Sequence, residues 1–367
     1  MKICIAIEKF DPSVGGAERY CWDLAHFLAG KGHEVAVICI KAKDPLHPLV
    51  HLIEVSCIRF PQALRHLSFG IMHYLKARSL PDHIHFCVGN TFYMNIYQPH
   101  GGLHRAWFER ETLRFRPALR KAVRLIKRMS LKDIVQRAME WWTFAVTRPE
   151  VVAISEMVSD DIRAGFAYPD TKIHLVPNGI DLNKFSVENR QYRAEIRQRY
   201  QLDPNEFVFL FVAQNLQLKG YDVLVRAISM LEELPFKVLI IGPADTSEKK
   251  QAMMLGDTMI FGGRASDMEK IYPACDCLVH PTYYDACSLV VLESLASGIP
   301  VITTDANGAK MYLTDGGGIV VSPGSPQDLA DAMRRMYSDG VGSAPPQAFI
   351  DSEGVFEILE GIMMECS

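Results

Sequence analysis

Asp285 and Glu293 stand with seven residues between them in PTYYDACSLVVLESLASGIPVI (281–302). Leu292, Leu295 and the valines predict a buried helix, with Asp285 in the loop before it and Ser288 able to cap its start. Glu293 falls inside that helix, and a buried carboxylate is costly unless something hydrogen-bonds it. Two kinds of partner remain open. One is a protein Arg or Lys. The other is a ligand diol, because a carboxylate can accept two hydroxyl hydrogen bonds at once. The amides of Cys287, Ser288 and Leu289 at the helix start are suited to an anion such as a pyrophosphate.

Other stretches carry residues with similar potential. VAQNLQLKGYDVL (212–224) places Asn215 and Lys219 between a strand and a helix, where a cation meets phosphate oxygens or is simply a surface charge. DPSVGGAERY (11–20) pairs Gly15 and Gly16 in the first strand–helix loop, with Glu18 and Arg19 on the first turn. It is either an anion-binding turn or a plain tight turn. It lacks the G-x-G-x-x-G pattern, so a dinucleotide is not indicated. QPHGGLHRAW (98–107) holds His100 and His104 around a glycine pair, each able to reach a substrate.

The elements that position these residues follow from the apolar pattern. KICIAI (2–7) and HEVAVICI (33–40) read as buried parallel strands around a helix over 17–30. Further strands are expected at 51–58, 83–88, 151–154 and in KIHLV. A polar stretch at 183–206 reads as part helix, part linker, and then the alternation restarts. FVFLFVAQN, FKVLIIG, CLVHPT, PVITTD and GGIVVS read as strands, with helices over 221–234, 267–275, 288–298 and 325–338. Two β/α series predict an α/β protein of two doubly wound domains. In such sheets ligands sit at the carboxyl ends of strands, and the cleft between domains is the natural substrate site. The expected boundaries are 1–180, 181–345, and a C-terminal helix over 346–367 packing back on the first domain.

Composition sets bounds on function. The 367 residues are 49% hydrophobic and 22% charged, with a net charge of −4, which gives a nucleic-acid partner no support. No apolar run is long enough to span a bilayer, and the N-terminus does not read as a signal peptide. The nine cysteines fit buried hydrophobes in a reducing, cytoplasmic setting. Cys275 and Cys277 lack zinc-site spacing, and no metal is expected. One segment, 104–142, is dense in Arg and Lys, with Trp107, Phe108, Phe115, Leu119, Val123, Leu125 and Ile126 on an apolar side and Pro117 dividing it. It is either a solvated insertion or a face for an anionic membrane or a phosphorylated acceptor.

Taken together, GGAER after the first strand, VPNGID at the domain junction, LKG at 218–220, FGGR at 261–264 and the 281–302 stretch resemble the family 4 retaining glycosyltransferases of the GT-B fold. The nearest likeness is to the lipopolysaccharide-core glucosyltransferase branch. The resemblance implies two Rossmann-like domains, the first binding an acceptor and the second a nucleotide diphosphate sugar. It implies that Lys219 binds the diphosphate, Glu293 the ribose, Asp285 the donor sugar hydroxyls, and the amides near Ser288 and Leu289 the phosphate. Gly16 would let the acceptor domain close on that phosphate, and no divalent metal or other cofactor is needed. Departures are visible. The family's Glu-x7-Glu is Asp-x7-Glu here, which bears on the donor sugar. Gln214 and Leu218 stand where many relatives carry an Arg, leaving Arg264 to supply the charge. Tyr20 replaces an Asp of the lipopolysaccharide branch, which turns attention to His100 or His104.

The implied reaction is retaining transfer of a hexose, UDP-glucose-like, to a hydroxyl of a glycan or glycolipid such as lipopolysaccharide core. Lys219, Asp285 and His104 are the candidates for the chemistry. Gly16, Asn215, Arg264, Ser288, Leu289 and Glu293 join the first two on the donor, and Gly15, Glu18, Arg19 and His100 face the acceptor. The expected location is cytoplasmic, peripheral on the inner membrane face. A sugar-nucleotide epimerase and a nucleotide-sugar-binding protein without transferase activity are the alternatives. A phosphorylase has no motif in its favour.

Overall fold

Continuous apolar runs form parallel strands throughout a computed structural model that describes residues 1–44, 47–313, 316–339, 349 and 351–366. The chain divides into two compact units, Met1–Gly179 with Ser352–Ser367, and Ile180–Asp351.

In the first unit the strands are β1 (Lys2–Ala6), β2 (Lys9–Phe10), β3 (Glu34–Cys39), β4 (Lys41–Ala42), β5 (Val50–Glu54), β6 (Ile84–Cys87), β7 (Ile96–Tyr97), β8 (Glu150–Ala153) and β9 (Ile173–Leu175). Seven form one parallel sheet in the order β5-β3-β1-β6-β7-β8-β9, while β2 pairs with β4. The chain winds outward from β1 to β5, then returns to the other side of β1 at β6. Gaps between strand ends at such a reversal are where doubly wound sheets bind ligands.

The second unit repeats the plan. Its strands β10 (Phe207–Val212), β11 (Phe236–Ile241), β12 (Met259–Gly263), β13 (Cys277–His280), β14 (Val301–Thr304) and β15 (Gly318–Val321) form a parallel sheet in the order β12-β11-β10-β13-β14-β15. Its reversal lies between β10 and β13. Phe209, Leu210, Phe211, Leu278 and Val279 are wholly buried there, which a strand covered by helices on both faces requires.

Some elements differ from the sequence expectation. The helix over 221–234 ends at Ile228, where the Ser229 hydroxyl donates to the Arg226 carbonyl at 2.8 Å and the chain turns. Helices Gln62–Ala77 and Glu156–Phe166 and strands β7 and β12 were not anticipated. The stretch 183–206 is no loose linker. Arg197, 2% exposed, donates to the Asp276 carboxylate at 2.9 Å and to the carbonyls of Ala274, Asp203 and Glu206. It staples helix Arg193–Arg199 to the approach to β13.

Pro117 divides the basic segment by opening helix Pro117–Arg128, its missing N–H costing nothing at that position. Helices His104–Glu111 and Leu131–Trp141 flank it. Lys127 and Arg114 neutralise the buried Glu111 at 2.6 and 3.2 Å. Phe108 is buried, but Leu119, Leu125 and Ile126 are exposed, and helix Pro117–Arg128 buries none of its residues.

The C-terminal helix Ser352–Glu365 packs on the first unit. Phe356 meets Tyr20 and Phe27, and Glu360 lies 2.6 Å from the His33 ring. Of the predicted C-terminal segment, 346–348, 350 and 367 lie outside the described residues, as do 314, 315 and 340–345 of the predicted second domain.

Candidate functional site

Lys219 and Asp285, distant in sequence, meet at the reversal of the second sheet. Lys219 lies in the loop after β10, and Asp285 lies in the loop after β13. Lys219 Nζ is 2.6 Å from Asp285 Oδ2. His280, the last residue of β13, places Nε2 3.3 Å from the same oxygen and 3.3 Å from Ser288 Oγ. Burial opposes the charge on Asp285, but Lys219 and His280 outweigh it and hold the carboxyl well below its usual range. Burial drives the His280 ring down, against the pull of Asp285. The Asp285 backbone is clamped in both directions, its N–H on the Ala306 carbonyl at 3.0 Å and its carbonyl on the Gly308 N–H at 2.9 Å.

The start of helix Leu289–Ala296 departs from the simple anion-site picture. Ser288 occupies the cap position, but its hydroxyl does not cap and lies against His280. Its N–H donates to Asn307 Oδ1 at 3.3 Å. An anion at this end would therefore find one of the three expected amides already engaged. Leu289 opens the helix, partly buried.

Among the described residues Glu293 has neither Arg nor Lys in hydrogen-bond reach. Its partner is the fully buried Tyr272, whose hydroxyl donates to Oε2 at 2.6 Å. Burial raises the carboxyl to about 7, and the tyrosine hydrogen bond restrains the rise. A carboxyl raised in the folded state costs nothing below its unfolded value near 4.5, and the cost grows until the pH passes about 7. Glu293→Gln is therefore expected to stabilise the second unit by about 1–2 kcal/mol at pH 8, below a ceiling of about 3 kcal/mol, with the gain vanishing near pH 4.5. Urea unfolding at the two pH values measures it. A gain equal at both would show that ionisation of Glu293 is not its source.

The remaining second-unit candidates are less closely joined. Asn215 is exposed and shapes the loop, its side chain accepting the Leu218 N–H at 3.1 Å. Arg264 is exposed after β12, two strands from β10, and contacts neither Lys219 nor Asp285 among the described interactions. Cys275 and Cys277 are buried, and burial pushes both thiols up, away from the thiolate that binds metal. Among the described residues no group of three His, Cys, Asp or Glu side chains could hold a metal ion.

In the first unit Gly15 caps helix Gly16–Gly30 with extended backbone at φ −172°, and Gly16 opens it. The Glu18 carboxylate folds back so that a Cβ at Gly15 would come within 2.7 Å of it. Arg19 is an exposed partner of Asp23 at 2.8 Å. Near the reversal of this sheet lies a pocket of about 390 Å³, lined among others by His66, Asn90, His100, His104, Lys132 and Glu140. His104 Nε2 is held by Asp133 at 2.8 Å. The His100 ring lies tilted against Tyr20 at 4.6 Å between centroids, and both of its nitrogens are shielded without a partner among the described residues.

Sequence reasoning passed over His280, Tyr272, Glu8 and His66. His280 stood in plain view inside CLVHPT as an imidazole ending a buried strand. The others had no local signal, because their partners lie 21 and 58 residues away.

Comparison with known proteins follows the two-unit division. The family described as Glycosyltransferase Family 4 matches residues 14–184, and Glycosyl transferases group 1 matches 192–351. The chain is 24% identical over 371 residues to an uncharacterized glycosyltransferase of Methanocaldococcus jannaschii, covering 92% of this chain and 90% of that one. It is 23% identical to the lipopolysaccharide glucosyltransferase WaaG of Escherichia coli K12, covering 91% and 89%. Among solved structures, WaaG superposes with a TM-score of 0.82 at 19% identity over 98% of this chain and 99% of that one. The Anabaena protein HepE, solved with UDP and glucose, gives 0.70 at 18% identity over the whole of both chains. With each half matched by its own family and the fold shared end to end, the chain belongs to the family 4 glycosyltransferases of the GT-B fold and is similar to their lipopolysaccharide-core branch.

Proposed function

We propose that the enzyme transfers a hexose, with retention, from a UDP-sugar of the UDP-glucose type to a hydroxyl of a glycan or glycolipid. The carrying observation is the Lys219–Asp285 pair at the reversal of the second sheet. Asp285 holds the ammonium in place, and the ammonium meets the donor diphosphate. Asp285 then turns its free oxygen to the sugar hydroxyls. Glu293, fixed by Tyr272, accepts the ribose diol. As the bond from the anomeric carbon to the diphosphate breaks, negative charge builds beside Lys219, where it is worth most. The acceptor oxygen bonds to the anomeric carbon on the same face, and its proton passes to the leaving phosphate. No step calls for a metal, so turnover is expected to survive EDTA. Support for the nucleotide comes from HepE, solved with UDP-glucose.

Titration calorimetry with UDP, GDP and ADP, followed by a donor screen reading nucleotide release, is the test. UDP binding and release from a UDP-hexose are expected, with an axial or equatorial product bond matching the donor by NMR. Binding of none of the three nucleotides would sink this reading.

The acceptor reading extends to location. Helix Pro117–Arg128 exposes Leu125, Ile126 and the following Met129 by 64%, 70% and 73% beside its Arg and Lys residues, a combination suited to an anionic bilayer surface. No described helix is long and apolar enough to cross a membrane. We place the enzyme at the inner membrane face, held by this helix. Co-sedimentation with anionic vesicles is expected to fall as salt rises. Equal binding to neutral vesicles would exclude electrostatic attachment.

A further inference from the structure

The pocket of the first unit opens beyond the carboxyl end of β6, where Val88, Gly89, Asn90 and Thr91 line it. Glu8 follows β1, the neighbouring strand at the reversal. Its Oε1 lies 2.5 Å from His66 Nδ1, and its Oε2 lies 3.1 Å from Arg65 Nε. Asn90 Nδ2 lies 3.0 Å from the same His66 nitrogen. With Glu8 taking the Nδ1 proton, that nitrogen cannot also accept from the amide, so Glu8 fixes the ring, and Nε2, without a partner among the described residues, is left for a ligand. A histidine oriented by a carboxylate with its far nitrogen unused is the arrangement found where a ring meets a substrate hydroxyl.

The rest of the lining says which substrate. Burial drives the His100 ring down to about 4 and the His104 ring also downward, against Asp133. Both rings are therefore uncharged near pH 7 and add no cation to the wall. Gln62, Asn90 and Gln136 add amides. The charged groups lining the pocket are Lys132 and Glu140, one of each sign. Burial raises Glu140 to about 7, while it accepts the His104 backbone N–H at 2.6 Å. Phosphate recognition calls for clustered cations and free amides, and this pocket offers a single lysine. Paired donor–acceptor groups on a neutral wall fit a polyhydroxylated ring.

We propose that this pocket takes an uncharged sugar ring of the acceptor, and that His66, positioned by Glu8, bonds one of its hydroxyls. The proposal rests on the transferase reading for the word acceptor but not for the binding itself.

The test is NMR on full-length enzyme labelled with 15N-histidine, titrated with methyl α-D-glucopyranoside or with glucose 6-phosphate. His66→Gln assigns the His66 signal by its loss. The neutral glucoside is expected to move the His66 Nε2 resonance saturably, at a concentration at least about fivefold below that needed for the phosphate. In His66→Gln the glucoside should bind at least about fivefold more weakly, with UDP affinity unchanged to show an intact second unit. Tighter binding of the phosphate overturns the proposal. So does saturation that leaves His66 unmoved, or no binding up to about 0.1 M. Glucoside binding as described in a protein that consumes no nucleotide sugar would overturn the transferase reading alone. UDP-sugar consumption without this binding would overturn the pocket alone.

Discussion

Lys219→Ala is expected to lower kcat/KM for the donor by about 2–4 kcal/mol, roughly 30- to 1,000-fold, because one charge-stabilising donor is removed from the leaving group. The structure adds a second consequence. Asp285 is 17% exposed at its side chain and shares its Oδ2 between Lys219 and His280. Without the ammonium, burial is opposed by His280 alone, and the carboxyl climbs back toward its ordinary range. Stability conferred by a depressed carboxyl is present above its unfolded value and is lost as pH falls through the folded one. The wild type should thus keep this contribution down to strongly acid pH, and the variant should lose it earlier. Steady-state kinetics and acid unfolding together separate the two effects. Lys219→Arg should recover part of the stability but less of the turnover, since the guanidinium is a planar fork rather than a point charge. Unchanged turnover in Lys219→Ala would refute the role given to the lysine.

Gly220→Ala is expected to cost roughly 2–4 kcal/mol of stability in the second unit and to weaken UDP binding with it. Gly220 sits at φ +82°, and a Cβ there would lie 2.0 Å from the Pro281 carbonyl oxygen. The residue thus lets the loop after β10 touch the loop after β13, and it immediately follows Lys219. Relief of the clash must drive those loops apart and stretch the Lys219–Asp285 contact. Gly256→Ala is the control. Its φ is +60° but nothing lies within 4 Å of a Cβ, so it should cost about 1 kcal/mol from backbone strain alone and leave UDP affinity unaltered. Urea unfolding and calorimetry on both variants give the comparison. Equal losses in the two would mean that the loop contact carries nothing.

The apolar runs KICIA and FVFLFV announced buried parallel strands because both faces of such strands are covered, and the two-unit α/β plan followed. Two-residue β7 was invisible, since Ile96–Tyr97 has no pattern of its own and exists only through pairing with β6 and β8. Helix Glu156–Phe166 had a readable start, Ser155 accepting the Val158 N–H at 3.2 Å, followed by Met157, Val158 and Ile162 on one face. In the site, Lys219, Asp285 and Glu293 drew notice as charged residues at strand ends or in a buried helix. Their partners did not. That Glu293 would be met by a tyrosine rather than a cation, or that His280 would share Asp285 with Lys219, depends on distant strands being neighbours. The pairing of His66 with Glu8 is of the same kind, and no local spacing encodes it.

The helix Ser352–Glu365 belongs by its packing to the half of the protein that begins at Met1. During synthesis, then, the half made first is the last to be completed. Its sheet can assemble once β9 has emerged, but the side chains of Tyr20 and Phe27 wait for Phe356 until the whole second unit has left the ribosome. Gly179 and Ser352 end up in contact, with a Cβ at Gly179 only 2.6 Å from the Ser352 Cα. The later unit is therefore a loop inserted into the earlier one, entered and left at one point. A nascent chain cut short before residue 352 would carry a finished second unit on an unfinished first one, exposing aromatic surface that quality control could recognise.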